Sequence, residues 1–135
     1  MNKVVFRLLL LAGVIFIIYF ISCKKDEDVV TREDYIGNWH CVESSTLLGK
    51  SNYDVTLKAD PANSEGILIV NFFHLGEDTV ATATVDKTNI TISKQFICKQ
   101  QIWGSGSLSN NTISWSYSVD DGADIDKVTA TYTKK

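Results

Sequence analysis

The sequence has few of the side chains that catalytic and metal-binding sites use. It contains only two histidines, His40 and His74, and no cysteine or histidine pair has the spacing of metal ligands. It also has no Gly-x-Ser-x-Gly nucleophile motif and no glycine-rich phosphate loop at a helix start. The sequence therefore does not indicate an enzyme, a metal site or a cofactor, and we predict no catalytic residues.

Positive charge is also scarce. The chain has 13 Lys and Arg residues against 16 Asp and Glu residues, and the basic ones are not clustered. If residues 1–22 are removed, as argued below, Lys3 and Arg7 are lost, so that eleven basic residues face sixteen acidic ones, a net charge of −5. Because nucleic-acid binding depends on cationic side chains that neutralise phosphates, we expect no nucleic-acid partner.

Beyond residue 36 the sequence lacks the 3.6-residue period of an amphipathic helix. It has instead a period of two, which is typical of strands with one buried face. Seven such runs include Trp39, Tyr53, Ala81, Ile90, Ile102, Ile113 and Val128, and an eighth run, residues 67–70, is apolar on both faces. Ser and Thr occupy the opposite positions in most runs, which indicates a solvated outer face. Residues 32–36 are the one stretch that could form a short helix.

Short turns separate the eight predicted strands. They contain Asn, Asp and Gly, which tolerate positive φ, at residues 76–78, 86–89, 110–111 and 120–122. Consecutive antiparallel strands with short turns form a meander, and a meander of eight closes into a barrel without free edges. We therefore predict an all-β domain at residues 35–135, an eight-stranded antiparallel up-and-down barrel. A β-sandwich is the alternative, because it gives the same alternation.

The N-terminus carries the one long apolar run. Residues 8–21 are 14 residues without a charge, after Lys3 and Arg7 and before Ser22 and Cys23. A membrane-spanning helix needs about 20 residues, so the run fits an export signal better than an anchor that stays in the chain. We predict a lipoprotein signal peptide at residues 1–22, with the lipid on Cys23, which would bind the protein to a membrane.

The charged residues after this cysteine form a second motif. CKKDE at residues 23–27 resembles the lipoprotein export signal of Bacteroidota, in which a cysteine is followed by one residue, a lysine and two acids. The resemblance implies that Lys25, Asp26 and Glu27 direct the protein to the outer face of the outer membrane. The alternatives are the periplasmic leaflet and a simple charged tether, because residues 23–34 also have the composition of a solvated linker.

The start of the predicted domain resembles another family. YIGNW at residues 35–39 is similar to the Gly-x-Trp opening of lipocalins, and IWGSG at residues 102–106 is similar to small lipocalin-like lipoproteins of Bacteroidota. The resemblance covers about residues 35–133. It implies a barrel in which Trp39 lies across the closed end. Family members of this kind mostly lack an assigned activity, so the resemblance implies fold and location more than function.

Two functions remain open for such a barrel. In the first, the barrel carries a small hydrophobic ligand, although the same side chains could simply fill the interior. The inward-facing candidates are Trp39, Tyr53, Val55, Leu57, Ile69, Ile102, Trp115, Tyr117 and Tyr132. In the second, the barrel is a scaffold for an inhibitor or adhesin-like protein, whose loops bind a protein or a glycan. The loops at residues 58–66, 94–101 and 120–126 and the outward-facing Trp103 are then the candidates.

The two remaining cysteines and the acidic run complete the prediction. Cys41 and Cys98 could form a disulfide in an oxidising compartment, or remain as two thiols. The acids between residues 120 and 126 do not follow the pattern of a calcium loop, so we predict a solvated turn.

Overall fold

The computed structural model describes residues 29–135. The predicted signal peptide, Cys23 and the export residues Lys25, Asp26 and Glu27 lie outside the described residues. Within residues 29–135, no helix is both long enough and apolar enough to cross a membrane.

Eight strands make up most of the described chain. They are β1 (Gly37–Ser45), β2 (Gly49–Ala59), β3 (Gly66–Val70), β4 (Val80–Asp86), β5 (Asn89–Ile97), β6 (Gln100–Ser109), β7 (Thr112–Asp120) and β8 (Ile125–Lys134). Two short 3₁₀ segments accompany them, Arg32–Tyr35 before β1 and Phe72–His74 between β3 and β4. The first of these confirms the short helix predicted at residues 32–36.

The strands form one closed barrel. Each strand pairs antiparallel with the next in sequence, and β8 returns to pair with β1, where Tyr132 lies opposite Cys41. The predicted up-and-down barrel is therefore confirmed, and the alternative sandwich is not formed. The alternation seen in the sequence is the alternation between interior and solvent, because successive side chains of a strand point to opposite faces.

The barrel interior is filled by large side chains. All nine side chains predicted to face inward are buried, with exposures of 7% or less. The β3 run that was apolar on both faces is not a fully exposed patch. Ile67 and Ile69 face the core, while Leu68 and Val70 on the other face are half-buried.

One end of the barrel is closed by the first 3₁₀ segment. Trp39 is fully buried there, and its indole Nε1 donates a hydrogen bond to the carbonyl oxygen of Tyr35 at 2.9 Å. The hydroxyl of Tyr35 in turn donates to the carbonyl oxygen of Lys87 at 3.0 Å. These contacts put Trp39 at the closed end, as the Gly-x-Trp resemblance implied.

The opposite, open end carries four connections. They are the turns that follow β1, β3, β5 and β7. The connection after β5 differs from the loop predicted at residues 94–101. β5 continues to Ile97 and only Cys98 and Lys99, both with positive φ, form the turn. The alternation breaks before it, because a β-bulge between Ile92 and Gln95 shifts the register against β6.

The proposed disulfide is not formed. Cys41 and Cys98 are both free thiols, Cys41 buried in the interior and Cys98 exposed at the open end. Cys41 lies in the middle of β1 with its side chain among interior residues, whereas Cys98 lies in the β5–β6 turn and contacts the hydroxyl of Thr79 at 3.3 Å. The fold therefore directs the two thiols to different places.

Candidate functional site

A buried carboxylate lies in the open half of the barrel. Glu43 continues the inward-facing positions of β1 beyond Trp39 and Cys41, and is only 5% exposed. Sequence analysis missed this residue, although the strict alternation of β1 was the signal that could have found it. A carboxylate at an inward position of a small barrel calls for a functional or structural explanation, because burying an unpaired charge is costly.

Three hydroxyl groups compensate for the burial of Glu43. Its Oε2 accepts hydrogen bonds from the phenols of Tyr53 at 2.6 Å and Tyr117 at 2.7 Å. Its Oε1 accepts a hydrogen bond from the hydroxyl of Ser51 at 2.9 Å. Burial, together with the hydrogen bond to Glu43, raises the pKa of both tyrosines well above the ordinary value, so the phenols stay protonated and continue to donate. The result is a rigid carboxylate with its orientation fixed from β2 and β7.

Two further polar groups are buried in the interior without a partner. The hydroxyl of Tyr132 and the indole Nε1 of Trp115 make no hydrogen bond, although both side chains are almost fully buried. Their rings pack together with centroids 5.6 Å apart. Burial also raises the pKa of the Cys41 thiol to about 12, so it stays protonated at neutral pH. This part of the interior is a polar core and has no activated nucleophile.

A recess opens to solvent beside Glu43. It has a volume of about 260 Å³. Its lining residues are Glu43, Ser45, Leu48, Gly49, Ser51, Phe73 and His74. The imidazole of His74 stacks on the ring of Tyr53, with centroids 4.8 Å apart and planes 6° from parallel. The recess is thus lined by both a carboxylate and aromatic rings.

The aromatic side of the recess belongs to the connection between β3 and β4. Phe72 is fully buried and its ring lies 4.8 Å from that of Tyr117, so this connection covers part of the open end. Asn71, Phe73 and His74 all have positive φ. Non-glycine residues in this conformation cost on the order of 1–3 kcal/mol each when they are strained, and the packing of Phe72 offsets that cost.

Asn71 fixes the start of this connection. Its side-chain Nδ2 donates to the backbone carbonyl oxygen of Asp54 at 2.8 Å, and its side-chain Oδ1 accepts from the backbone N–H of Gly76 at 2.9 Å. Asparagine adopts positive φ more readily than most residues, which suits it to this position. Phe73 and His74 are thereby held where they line the same recess as Glu43.

Asp126 is a second buried carboxylate at the open end of the barrel, beside the β1–β2 turn. It is 4% exposed, on β8, and not part of the solvated turn predicted at residues 120–126. Its carboxylate accepts from the hydroxyls of Ser45 and Thr46 and from the backbone N–H groups of Thr46 and Leu47. Burial by itself would raise the pKa of Asp126, but these hydrogen bonds outweigh it and lower the pKa below the ordinary value. Asp126 therefore fastens the β1–β2 turn to β8.

We expect Asp126→Asn to lower the free energy of unfolding by about 1–3 kcal/mol at pH 7, because buried donors lose their ionised acceptor. A carboxyl whose pKa is lowered by folding stabilises the protein above its unfolded pKa of about 3.9, and this contribution is lost as the pH falls through the folded value. Denaturant melts at pH 7 and pH 3 should therefore show a smaller difference between wild type and variant at pH 3. Asp124→Asn, an exposed site in the same connection, is the control and should change stability little at pH 7. An equal loss for both variants would contradict this role.

The residues predicted from sequence occupy other parts of the barrel. Tyr53 and Tyr117 contact the site through their hydrogen bonds to Glu43, whereas the rest of the predicted interior set packs as core and does not line this recess. Trp103 faces outward as predicted, half-buried, with the ammonium groups of Lys94 and Lys127 4.8 Å and 5.9 Å from its ring centroid. The loop predicted at residues 58–66 is shorter in the structure, because β2 continues to Ala59 and β3 begins at Gly66. Residues 60–65 join the two strands at the closed end, away from the recess.

Solved structures with the same fold are known. The chain is similar to EF1p2_mFAP2b bound to DFHBI, with a TM-score of 0.57 and 16% identity over 76% of this chain and 95% of that chain. It is also similar to a redesigned beta barrel, b11L5F_LGL, with a TM-score of 0.58 and 11% identity over 80% of this chain and 97% of that chain. At these identities the similarity shows the small-barrel fold alone. No family model matches the chain, and no curated protein matches it.

Proposed function

We propose that this protein is a lipid-anchored binding module that holds a small ligand in the recess at the open end of its barrel. The observation that carries the proposal is the buried carboxylate of Glu43 on the wall of a recess of about 260 Å³. Ligand sites are concave and combine apolar surface with a few fixed polar groups. In this recess Leu48 and Phe73 lie beside Glu43 and other polar side chains.

The filled interior favours a ligand at the open end over one in the centre of the barrel. Trp39, Tyr132 and Phe72 are each fully buried and occupy the space that a central ligand would need. Ligand pockets of proteins usually measure about 300–1,000 Å³, so a recess slightly below that range suits a molecule smaller than a typical drug. The similar barrel EF1p2_mFAP2b is bound to DFHBI, which supports a binding role for a barrel of this size.

Membrane attachment follows from the N-terminal sequence. We propose that Cys23 carries the lipid and that Lys25, Asp26 and Glu27 place the protein on the outer surface of the outer membrane. The chain enters the barrel at the closed end, where Arg32 donates to the carbonyl oxygen of Asn63 at 3.1 Å. The eight residues 24–31 span at most about 29 Å when extended, so the closed end, where the chain enters the barrel, would lie within that distance of the lipid on Cys23.

Lipid attachment can be tested in the native host. We expect Cys23→Ser to abolish acyl labelling and to release the protein from the membrane fraction, because the thioether can no longer form. Metabolic labelling with a clickable fatty acid, followed by membrane fractionation, measures both effects. Cys98→Ser, which removes an exposed thiol of the barrel, is the control and should leave labelling unchanged. Labelling that persists in Cys23→Ser would contradict the anchor.

Ligand binding in the recess can be tested by blocking it. Ser51 lines the recess, whereas its neighbour Asn52 on β2 is exposed on the outer face. We expect native mass spectrometry of protein from its own host to show a bound small molecule in the wild type and in Asn52→Phe. The same mass should be lost in Ser51→Phe, whose ring fills the recess. An unoccupied wild-type protein, or a ligand that persists in Ser51→Phe, would contradict the proposed function.

A second candidate function is supported by the rim of the open end. Exposed apolar side chains lie on it or next to it, at Leu47, Leu48, Val80, Phe96 and Ile125. Clustered exposed apolar groups are typical of sites that bind another protein. The double variant Leu47→Ser and Phe96→Ser would weaken such a protein complex but leave a ligand in the recess in place, so the two functions can be separated.

A further inference from the structure

We infer that the ligand of this recess is a small organic cation, an ammonium group attached to an apolar body. The inference rests on the proposed function, because it names the class of molecule that the same recess would hold. It follows from the hydrogen bonds of Glu43, from the charges around the open end of the barrel and from the aromatic groups that line the same recess.

The first argument is that the Glu43 carboxylate can accept one more hydrogen bond than the described residues donate to it. A carboxylate has about four positions for hydrogen-bond donors, and the described residues occupy three of them. Oε2 receives two phenols, whereas Oε1 receives only the hydroxyl of Ser51. Ser51 and Glu43 both line the recess, so a ligand held there would lie close to this carboxylate. A ligand N–H donor would complete the set.

The second argument is the negative charge around the open end of the barrel. A smaller recess of about 100 Å³ lies on the other side of Phe73 and is lined by Asp121, Asp124 and Asp126. Among the residues that the structure describes, neither recess is lined by a lysine or an arginine. The four carboxylates, of which Glu43 and Asp126 are buried, attract a cation and repel an anion.

The third argument is the aromatic part of the recess wall. Phe73 and His74 line the recess, and Tyr53 lies directly behind His74 in a parallel stack. Aromatic faces attract ammonium groups within about 6 Å of the ring centroid, and the attraction increases when water is excluded. A neutral apolar ligand would contact these rings but would cover Glu43 without supplying a donor, which is costly for a buried carboxylate.

The inference is tested with three probes of nearly equal size. They are phenethylamine, which is a cation at pH 7, 2-phenylethanol, which is neutral, and 3-phenylpropanoate, which is an anion. Calorimetric titrations use the full chain in nanodiscs of zwitterionic lipid, with empty nanodiscs as the blank. We expect the wild type to bind the amine at least tenfold more tightly than the alcohol, and the anion most weakly.

A matched pair of variants assigns the preference to one carboxylate. Glu43→Gln keeps the size of the side chain and removes its charge, so the amine and the alcohol should then bind within about twofold of each other. Glu65→Gln removes the same charge from an exposed site in the β2–β3 connection at the closed end, and should keep the tenfold preference. If Glu43→Gln does not fold, the wild-type comparison of amine with alcohol still decides the question.

The outcomes separate the inference from the function on which it rests. Equal binding of amine and alcohol, tighter binding of the anion, or no binding of any probe would overturn the cation preference. The native mass measurement with Ser51→Phe decides the proposed function independently. A ligand that is lost in Ser51→Phe would keep that function even if the amine were not preferred.

Discussion

Replacing Trp39 with alanine is expected to lower the free energy of unfolding by about 3–5 kcal/mol, a large part of the stability of a small domain. Trp39 is fully buried where the barrel closes. Its removal leaves a cavity under the strands and deprives the carbonyl oxygen of Tyr35 of its indole donor. The side chain of Lys134, whose ammonium lies 5.4 Å from the centroid of the indole ring, loses its packing surface as well.

The control for this prediction is Trp103→Ala, because it removes the same side chain from the outer face. Trp103 is half-buried between Lys94 and Lys127, so its replacement should cost about 1 kcal/mol or less. Denaturant melts of the two full-length variants measure the difference directly. Equal losses, or a larger loss for Trp103→Ala, would mean that the inward and outward faces of β1 and β6 are assigned wrongly.

Replacing Gly104 with alanine is expected to lower the free energy of unfolding by about 3 kcal/mol, at the upper end of the usual range for overpacking. Gly104 lies opposite Tyr117 in the β6–β7 pair. A Cβ atom at this position would lie 2.4 Å from the Cβ of Tyr117 and 2.5 Å from the carbonyl oxygen of Ser116. Because these atoms belong to or adjoin the backbone of β7, the two strands must separate to admit a methyl group.

Two neighbouring substitutions give a graded comparison on the same strand. At Gly106 the added Cβ would lie 2.9 Å from the ring of Trp115, a side chain that can shift, so Gly106→Ala should cost less than Gly104→Ala. Ser105 is exposed on the outer face, and Ser105→Ala should change stability by about 0.5 kcal/mol or less. Denaturant melts should rank the losses in the order Gly104, Gly106, Ser105. A loss at Ser105 that equals the loss at Gly104 would contradict close strand packing as the cause.

Gly104 also shows why the inner face of β6 could be interpreted from sequence. Gly104 and Gly106 alternate with exposed or half-buried residues and precede the bulky Trp115 and Tyr117 one strand later. The pattern predicts that small residues make room for aromatic rings, and the pairing of Gly104 with Tyr117 and of Gly106 with Trp115 confirms it. This information is local, because a short turn fixes the register of adjacent strands.

The same principle explains which features of the site could not be predicted. Glu43 faces inward because it continues the alternation of Trp39 and Cys41 on β1. Its environment, however, depends on Tyr117, which is 74 residues away on β7. The positive φ of Phe73 and His74 has no sequence signal either, since these residues are held by packing of Phe72 on Tyr117. The bulge in β5 and the separation of Cys41 from Cys98 also depend on how distant segments meet.

The sequence by itself therefore predicted eight strands in a meander and the burial of Trp39, because alternation and turn residues act over a few positions. It favoured a closed barrel but left a sandwich open, and the pairing of β8 with β1 decided between them. Only the tertiary structure decided that a carboxylate, two phenols and a histidine meet at the open end. Closure of the barrel brings β1, β2 and β7 together across its interior, and the connection after β3 then folds over them. Contacts of this kind depend on the distance between whole strands in space, which the pattern within each strand does not encode.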